Sequence, residues 1–310
     1  MNSTGSFLKT VLERVRALLD DASIDAKFDN DFIIRHHVGP AQADVLSRIN
    51  LNSAGRIYLY YDITLIDGVQ YYKLPPCIEQ VVRLGTVDTN GQILADLMPS
   101  DYFAWSGPGW NIQGVPGSTE LYLEKNVLGT STVRLYYISN GDFMPQYSTG
   151  GTLSTSGSTQ KLLLTTSSVL GDLDRRENAY AGQVLRLLPA SPNPIEERII
   201  SRSYKDGSNW YVEVRRPFTL NSPGSHTYEV APAGSSSLYD AITCCAALRL
   251  AGPRKITEVQ YRRIRDQYLM AIKTVSDRMK LIQSRVPPHI AKNTIDNPEY
   301  GSVFGFLGGI

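Results

Sequence analysis

The period of the hydrophobic pattern changes twice along this chain, and these changes constrain its fold more than any other feature. In residues 1–55 apolar side chains recur every three or four positions, beginning with Leu8 and Val11, as they do on one face of a helix. The period becomes two from Arg56 onwards, which is typical of β-strands. A helical period returns after residue 230. The pattern predicts an α+β fold, with a helical bundle built from the N- and C-terminal segments and a β-rich middle.

The N-terminal zone is expected to contain two or three short helices. Its first stretch, "SFLKTVLERVRALLDD", has charged residues within the apolar pattern, so it predicts an amphipathic helix rather than a secretory signal. A second helix is expected to start in "FDNDFIIRHH", with Asn30 or Asp31 as its cap. Gly39-Pro40 then permits a third start.

The middle of the chain divides into a β-rich region, residues 56–144, and a small inserted β domain, residues 145–229. Strand-like runs such as "RIYLYYDITLI" and "STVRLYYIS" fill the first region, and Asp67-Gly68 predicts a hairpin. The insertion is expected to open with a linker or loop, because 11 of the 13 residues in 148–160 are Ser, Thr or Gly. Asp206-Gly207 predicts the tip of a further hairpin.

Residues 230–285 are expected to join residues 1–55 in a helical core. Ser237 is placed to cap a helix, and Gly252 is expected to end it because Pro253 blocks its continuation. A long second helix follows, with one apolar stripe that is expected to be buried. The stripe consists of Tyr261, Ile264, Tyr268, Ile272, Val275, Met279 and Ile282.

Basic charge is concentrated on this long helix. The chain has 31 basic and 30 acidic residues, yet nine bases and only three acids lie between Arg254 and Arg285. That segment has a net charge of +6, which leaves −5 for the rest. Its basic stripe has three interpretations, which are a solvated helix face, a contact with nucleic-acid phosphates, and a contact with an acidic protein. The stripe consists of Arg262, Arg265, Lys273 and Lys280.

The last segment, residues 286–310, predicts an extended C-terminal arm. Pro287 and Pro288 stop the helix, because proline lacks the amide hydrogen that a helix requires. Apolar side chains spaced by small residues suit a segment that orders on a partner, and an ordinary frayed end is the alternative. These side chains belong to Tyr300, Phe304, Phe306, Leu307 and Ile310.

No catalytic, cofactor-binding or metal-binding constellation is predicted. The chain lacks the G-x-G-x-x-G, G-x-x-x-x-G-K-[ST], G-x-S-x-G and H-E-x-x-H motifs. His36 and His37 point about 100° apart on a helix and cannot share a metal. Asp172 and Asp174 lack the neighbouring glycine and glutamate of a calcium loop, so turn and cap roles are expected for them.

Composition also argues against a cysteine-based framework and against a membrane protein. The three cysteines show no C-x-x-C spacing, which favours a reducing compartment over a disulfide framework or a zinc site. The longest apolar run is far shorter than the roughly 20 residues that cross a bilayer, so no membrane span is expected.

An aromatic cluster near residue 105 has two interpretations. It forms either a platform that stacks on glycans or part of the core of the β-rich region, where aromatic residues are the usual filling. The cluster consists of Tyr102, Phe103, Trp105 and Trp110.

The order of these segments resembles that of the head-to-tail adaptor, or connector, proteins of tailed phages. It is most similar to the podovirus adaptor, or tail tubular protein A, type. The similarity is carried by the helix ending in "ALLDD", by "DITLIDGVQYYKLPPCIEQVVRLGTV", and by "YEVAPAG" followed by "LYDAITCCAALRLAGP" and a long helix. It covers residues 1–140 and 230–310.

The resemblance implies a structural virion protein at the head-tail junction, assembled in the host cytoplasm. Its subunits, typically twelve, would form a ring between the portal protein and the tail nozzle or tail tube, around a channel for double-stranded DNA. The C-terminal arm would bind the portal, and the basic stripe would face the channel or the portal. The insertion, residues 145–229, departs from compact members of the family, and docking of fibres or spikes is its expected role.

Two other functional classes stay open. A carbohydrate-binding or tail-fibre-associated β protein would leave the long basic helix unexplained. A tail-associated glycoside hydrolase would require paired carboxylates in a cleft.

Overall fold

Helices lie at both ends of the chain and strands lie between them, which confirms the predicted α+β class. The structure is a computed structural model that describes residues 6–20, 28–51, 58–88, 92–99, 109–115, 118–123, 132–156, 159–165, 170–188, 194–214, 216–219, 224–254 and 256–284. The predicted arm, residues 286–310, lies outside them. The helical elements are α1 (Phe7–Leu18), α2 (Asn30–Ile33), a π-helical turn (Ile34–Val38), α3 (Gly39–Leu51), α4 (Ser235–Arg254) and α5 (Glu258–Ser284).

The helical core forms around α4, which contacts α1, α3 and α5. Small side chains on α4, such as those of Ala241, Ala246 and Ala247, are completely buried and allow the neighbouring helices to approach closely. Leu8 and Val11 of α1 are also completely buried. The N- and C-terminal segments therefore share one apolar core.

The predicted second and third helices are one continuous segment, because α2 passes through the π-helical turn into α3. The last π-type hydrogen bond runs from the Gly39 amide to the Ile34 carbonyl. It falls immediately before Pro40, which has no amide hydrogen to donate. The predicted caps, Asn30 and Asp31, are also wrong by one or two positions. The cap is Asp29, whose carboxylate accepts a hydrogen bond of 2.6 Å from the amide of Phe32.

The first β unit is a seven-stranded sheet with the order β1-β7-β3-β4-β5-β6-β2. Neighbouring strands are antiparallel except for β4 and β5, which are parallel. Leu84, Leu121 and Leu135 lie in its buried core. The strands are β1 (Tyr58–Thr64), β2 (Tyr71–Lys73), β3 (Ile78–Val87), β4 (Ile93–Pro99), β5 (Gly109–Val115), β6 (Ser118–Leu123) and β7 (Thr132–Ser139).

The turn predicted at Asp67-Gly68 is present, but the predicted hairpin is wrong. The strands on either side of the turn pair elsewhere, β1 with β7 and β2 with β6, and lie at opposite edges of the sheet. A side chain, rather than hydrogen bonds between paired strands, stabilises this turn. The Tyr72 hydroxyl accepts from the Ile66 amide at 2.9 Å and lies 3.0 Å from the Val69 carbonyl oxygen.

The second β unit is a closed barrel with the order β10-β11-β12-β9-β8-β13. Tyr180, Phe218 and Tyr228 are among the large side chains that fill it. The hairpin predicted at Asp206-Gly207 is confirmed, because β11 and β12 pair on either side of it. The strands are β8 (Gln146–Ser156), β9 (Thr159–Leu164), β10 (Val184–Leu187), β11 (Glu196–Asp206), β12 (Asn209–Val214) and β13 (Gly224–Ala231).

The polar stretch at residues 148–160 forms barrel strands, so the predicted linker is wrong. Most of β8 and the start of β9 lie within it, and these strands pair with each other. Small residues are required here by the packing, because a Cβ at Gly151 would lie 2.5 Å from the ring of Tyr228. The hydroxyl of Ser148 contacts that of Thr165. Cross-strand pairing and packing thus override the flexible composition.

A buried carboxylate joins the barrel to the helical core. Glu229 on β13 is completely buried and accepts hydrogen bonds from the Ser6 hydroxyl at 2.7 Å, the Phe7 amide at 2.8 Å and the Leu8 amide at 2.7 Å. These groups lie at the start of α1, where the helix dipole favours a negative charge. Arg186 on β10 donates to the same carboxylate at 2.8 Å. This Glu229 cluster fixes α1 to the barrel.

The segment between β9 and β10 joins the barrel to the sheet. Tyr137 of the sheet donates from its hydroxyl to the Ala181 carbonyl at 3.2 Å, and the Asn178 side chain donates to the Lys73 carbonyl at 3.2 Å. Gly182 has a φ of +80°, and a Cβ there would lie 2.0 Å from the Tyr137 hydroxyl oxygen. The barrel therefore contacts both other parts of the molecule.

The boundaries of α4 differ from the predicted ones. The helix begins at Ser235, and the amide of the predicted cap, Ser237, donates to the Gly234 carbonyl at 2.9 Å. It continues through the predicted end at Gly252 as far as Arg254. Pro253 lies in the last turn of α4, and the next helix, α5, begins at Glu258. The proline therefore limits how far α4 extends but does not end it at Gly252.

Candidate functional site

The long helix α5 carries most of the residues that the sequence assigned to a binding surface. Its 27 residues correspond to about 40 Å at the usual rise of 1.5 Å per residue. The hydroxyl of Thr257 accepts from the Gln260 amide at 3.3 Å, and its carbonyl accepts from the Tyr261 amide at 2.9 Å. Glu258 follows in the first turn, where the helix dipole favours an acidic side chain.

One side of α5 is seated in the helical core. The predicted burial is confirmed for Ile264, Tyr268, Ile272 and Val275, which are at most 8% exposed. It is wrong for Tyr261, which is 39% exposed. At that end of α5 a polar residue contacts α1 instead, because the Gln260 side chain donates to the Leu18 carbonyl at 2.9 Å. Met279 is half-buried against the same core, and the side chain of Ile282 lies outside the described set.

Tyr268 links α5 to two other helices. The guanidinium of Arg48, on α3, lies 5.5 Å from the centre of its ring, a distance at which a cation is attracted to the aromatic face. Burial, together with the neighbouring Cys245 of α4, raises the pKa of the Tyr268 hydroxyl, since an ionised phenol would lose its solvation there. The inner side of α5 is thus held by packing on both α3 and α4.

All four residues of the predicted basic stripe are exposed on α5. Acids of the same helix lie beside three of them, in exposed pairs that contribute little to stability. Lys273 forms no ion pair with a described residue, and neither do Arg263 and Arg278, which the sequence analysis did not identify. The pairs are Arg262–Glu258 at 2.9 Å, Arg265–Asp266 at 3.8 Å and Lys280–Asp277 at 3.7 Å.

Apolar side chains are exposed among these bases. Leu269 is 50% exposed, Met270 is 71% exposed, and Val259 near the start of the helix is 78% exposed. Methionine and arginine are enriched in protein interfaces, whereas a surface that only neutralises phosphates needs no apolar residues. We call this side of the helix the outer face of α5. It consists of Val259, Arg262, Arg263, Arg265, Leu269, Met270, Lys273 and Lys280, and the acids Glu258, Asp266 and Asp277 lie among them.

Electrostatically, the outer face of α5 has a net positive charge. The helix carries six basic and three acidic side chains. Arg262 and Lys280 are 18 residues apart, which is about 27 Å along the axis. Lys273 lies between them on the same side of the helix, since the 11 residues to Arg262 and the seven to Lys280 are about three and about two turns.

The five residues predicted to anchor the C-terminal arm lie outside the described residues, so their placement stays a prediction. They are Tyr300, Phe304, Phe306, Leu307 and Ile310.

The aromatic cluster near residue 105 is only partly described, since Tyr102, Phe103 and Trp105 also lie outside. Trp110 is buried and donates from its indole nitrogen to the Leu97 carbonyl at 2.7 Å. The core interpretation therefore holds for Trp110, and the glycan platform is wrong for it.

The histidine and aspartate pairs have structural contacts. His36 is exposed and His37 is buried, and burial, aided by Arg249 and His36, lowers the pKa of His37. Asp172 forms an ion pair with Arg35, and Asp174 forms one with Arg176, both at 2.7 Å. Within the described ranges no group of three or more His, Cys, Asp or Glu side chains is placed to hold a metal.

The structure also contains a surface that the sequence analysis missed. A recess of about 650 Å³ opens beside the hairpin of β11 and β12. Its lining comes from three separate stretches, around residues 175–177, 202–205 and 208–210. Two of the stretches flank the tip of the hairpin predicted at Asp206-Gly207, but the sequence gives no signal that residues 175–177 lie beside them. No helix in the described part of the chain is long and apolar enough to cross a membrane.

Searches found no protein family model and no curated protein that matches this chain.

Proposed function

We propose that the chain is the subunit of a ring-forming head-to-tail adaptor, which joins the portal of a tailed phage to its tail and surrounds the DNA channel. The observation that carries this proposal is the outer face of α5. Its apolar residues Leu269 and Met270 project from a helix whose opposite side is fixed in the core. The order of segments in the sequence, which resembles that of the adaptor family, supports the same function.

Assembly into a ring would cover the apolar part of this face. Leu269 and Met270 are half or more exposed, and complete burial of such side chains stabilises by about 1.5–3 kcal/mol each. Subunits in a ring meet head to tail, so each uses two different surfaces and the interface repeats around the circle. A small apolar contact is therefore multiplied by the number of subunits.

The basic residues of α5 favour a ring in which they lie near an anionic surface. Copies of a positively charged helix repel one another unless an anion lies nearby, because their fields add. Lys273 and Arg263, which lack ion pairs with the described residues, would be stabilised by the phosphates of DNA in the channel or by an acidic surface of the portal. We therefore assign Arg262, Arg265, Lys273 and Lys280 to the channel or portal side, and Leu269 and Met270, which lie between and beside these bases, to the edge of that side where neighbouring subunits meet.

The experiment compares two variants in assembly with the portal. L269D/M270D places charges in the proposed contact, whereas L94D places one on β4, where Leu94 is 59% exposed and has no assigned role. Each chain is mixed with portal rings of its own phage and examined by mass photometry and electron microscopy. The wild-type chain and L94D should form a ring on the portal, and L269D/M270D should not. A wild-type chain that never assembles, or an L269D/M270D chain that assembles normally, contradicts the proposal.

A further inference from the structure

A short row of aromatic rings lies on the surface of α2 and the π-helical turn. Phe28 and Phe32 stack with ring centroids 5.0 Å apart, and the His36 ring lies 4.7 Å beyond that of Phe32. The three residues are four positions apart, so they follow one side of the helical segment. Phe28 and Phe32 are half-buried and His36 is exposed. We call this row the aromatic ridge.

The backbone of the ridge is held in place by contacts with α1 and the barrel. The buried Arg16 of α1 donates to the Phe28 carbonyl at 2.8 Å. The Asp29 carboxylate caps α2, and that of Asp31 accepts from the Gly171 amide at 3.2 Å. The rings are therefore carried by a fixed backbone, which lowers the entropic cost of binding a partner.

Acidic side chains flank the ridge. Asp29 and Asp31 are exposed. The side chain of Asp172 is 50% exposed and forms an ion pair of 2.7 Å with Arg35. Residues 20–31 of the sequence contain five acids and one base. The ridge therefore belongs to an acidic part of the chain and would repel the phosphates of DNA.

One edge of the outer face of α5 has the complementary character. Val259 and Met270 lie about 20° apart around the helix axis, since 11 residues make about three turns, and they are 78% and 71% exposed. Arg263 lies one turn after Val259 and forms no ion pair with a described residue. Methionine and arginine side chains both bind favourably to aromatic rings. The acids beside the ridge match the charge of the arginine.

The two surfaces cannot meet within one copy of the chain as it is folded. The inner side of α5 is fixed in the helical core, so its outer face is directed away from that core. Two copies can bring them together. A head-to-tail ring requires two different surfaces on each subunit, and it repeats the same contact around the circle.

We propose that the aromatic ridge of one subunit packs against the outer face of α5 of the next, with Phe32 against Met270 and with Asp31 and Asp172 facing Arg263. The inference rests on the proposed ring and identifies the second surface of its subunit contact. The neighbour's acids supply for Arg263 the anion that the other bases of α5 find on the channel or portal side.

The experiment traps this contact with cysteines. All three native cysteines are buried, and F32C/M270C adds two accessible thiols at positions that should meet. The chain is assembled on portal rings, the ring is verified by electron microscopy, and a short bismaleimide is then added. The controls are the two single variants and L94C/M270C, which moves one thiol to the exposed Leu94 of β4.

Every subunit of a head-to-tail ring is linked to two neighbours, so F32C/M270C should give a ladder of products beyond the dimer on a denaturing gel. The controls should give no such ladder. A verified ring with no ladder, a ladder that ends at the dimer, or an equal ladder from L94C/M270C overturns the inference and leaves the adaptor proposal intact. A wild-type chain that forms no ring overturns both.

A second measurement removes charge beside the ridge without cysteines. D31N/D172N keeps the side-chain oxygen acceptors but loses two charges, and E79Q/D206N loses two at exposed positions of the β units. The protein concentration at which half of the portal rings carry adaptor should rise about threefold or more for D31N/D172N and stay within about twofold for E79Q/D206N. Equal shifts in the two variants, or no shift in either, overturn the inference.

Discussion

Replacing Glu229 with glutamine should destabilise the protein far more than the same change at Glu197. Both carboxylates contact Arg186, at 2.8 Å for Glu229 and 2.9 Å for Glu197. The side chains of Glu229 and Arg186 are 0% and 4% exposed, whereas that of Glu197 is 46% exposed. The buried carboxylate also accepts from the Phe7 and Leu8 amides at the start of α1.

The magnitude follows from the burial of the pair. Removing one partner of a buried ion pair costs about 3–5 kcal/mol, because the other charge stays buried without compensation. Loss of a negative charge at the N-terminus of α1 costs about 0.3–1 kcal/mol more. Glutamine keeps one oxygen acceptor, so we expect E229Q to lower the free energy of unfolding by about 3 kcal/mol. Because Glu197 is half exposed in its pair with Arg186, we expect E197Q to lower the free energy of unfolding by at most about 1 kcal/mol.

Urea unfolding followed by circular dichroism measures both losses. The double variant R186M/E229Q separates the buried charge from the cap of α1, because it removes the arginine that E229Q leaves with only the half-exposed Glu197 as its ion-pair partner. It should recover about 1–2 kcal/mol relative to E229Q alone. Equal losses in E229Q and E197Q, or no recovery in the double variant, would refute the reasoning.

Three further predictions concern other buried groups. Gly182→Ala should lower the free energy of unfolding by about 2–4 kcal/mol, because it adds a clash with Tyr137 to an unfavourable φ, and thermal unfolding measures the loss. The lowered pKa of His37 means that the unfolded chain binds the proton more readily, so stability should fall as the pH drops below about 6.5. His37→Gln should remove that loss in melting curves at pH 5.5 and 7.5, His36→Gln should not, and identical pH dependence in all three chains would contradict the assignment. Burial raises the pKa of all three cysteines to about 11, so a thiol reagent at pH 8 should label them quickly only after unfolding, and fast labelling of the native chain would contradict their burial.

The hydrophobic period predicts the α+β class and most of the strands. The segment around Val212, which has a clean period of two, is a strand with alternate residues buried. The segment around Tyr61 is also a strand, but it buries three successive residues, 61–63. The period of α5 likewise predicts the burial of Ile264 and Tyr268. These predictions succeed because one side of each element must leave water whatever the topology is.

Predictions of strand pairing, and predictions based on composition, fail where contacts with distant residues determine the structure. The Asp67-Gly68 turn is local, but the partners of the flanking strands lie more than forty residues away, near Leu121 and Leu135. Residues 148–160 have the composition of a linker, yet the ring of Tyr228 requires a glycine at position 151. Such contacts join residues that are far apart in the chain, so a local sequence pattern does not predict them.

The candidate site shows the same division. The basic stripe of α5 is visible in the sequence because its residues share one helix. The exposure of Leu269 and Met270 is not, since it depends on which side of α5 meets α4. Two of the stretches that line the recess on the barrel flank the predicted hairpin at Asp206-Gly207, whereas only the fold places residues 175–177 beside them.

Imaging of complete particles at the head-tail junction tests the adaptor proposal most directly. The account predicts a closed ring of this chain between the portal and the tail, with Leu269 and Met270 covered by a neighbouring subunit and Lys273 facing the channel or the portal. Density at that junction without a ring of this chain, or a ring in which the outer face of α5 is directed into the surrounding solvent, would contradict it.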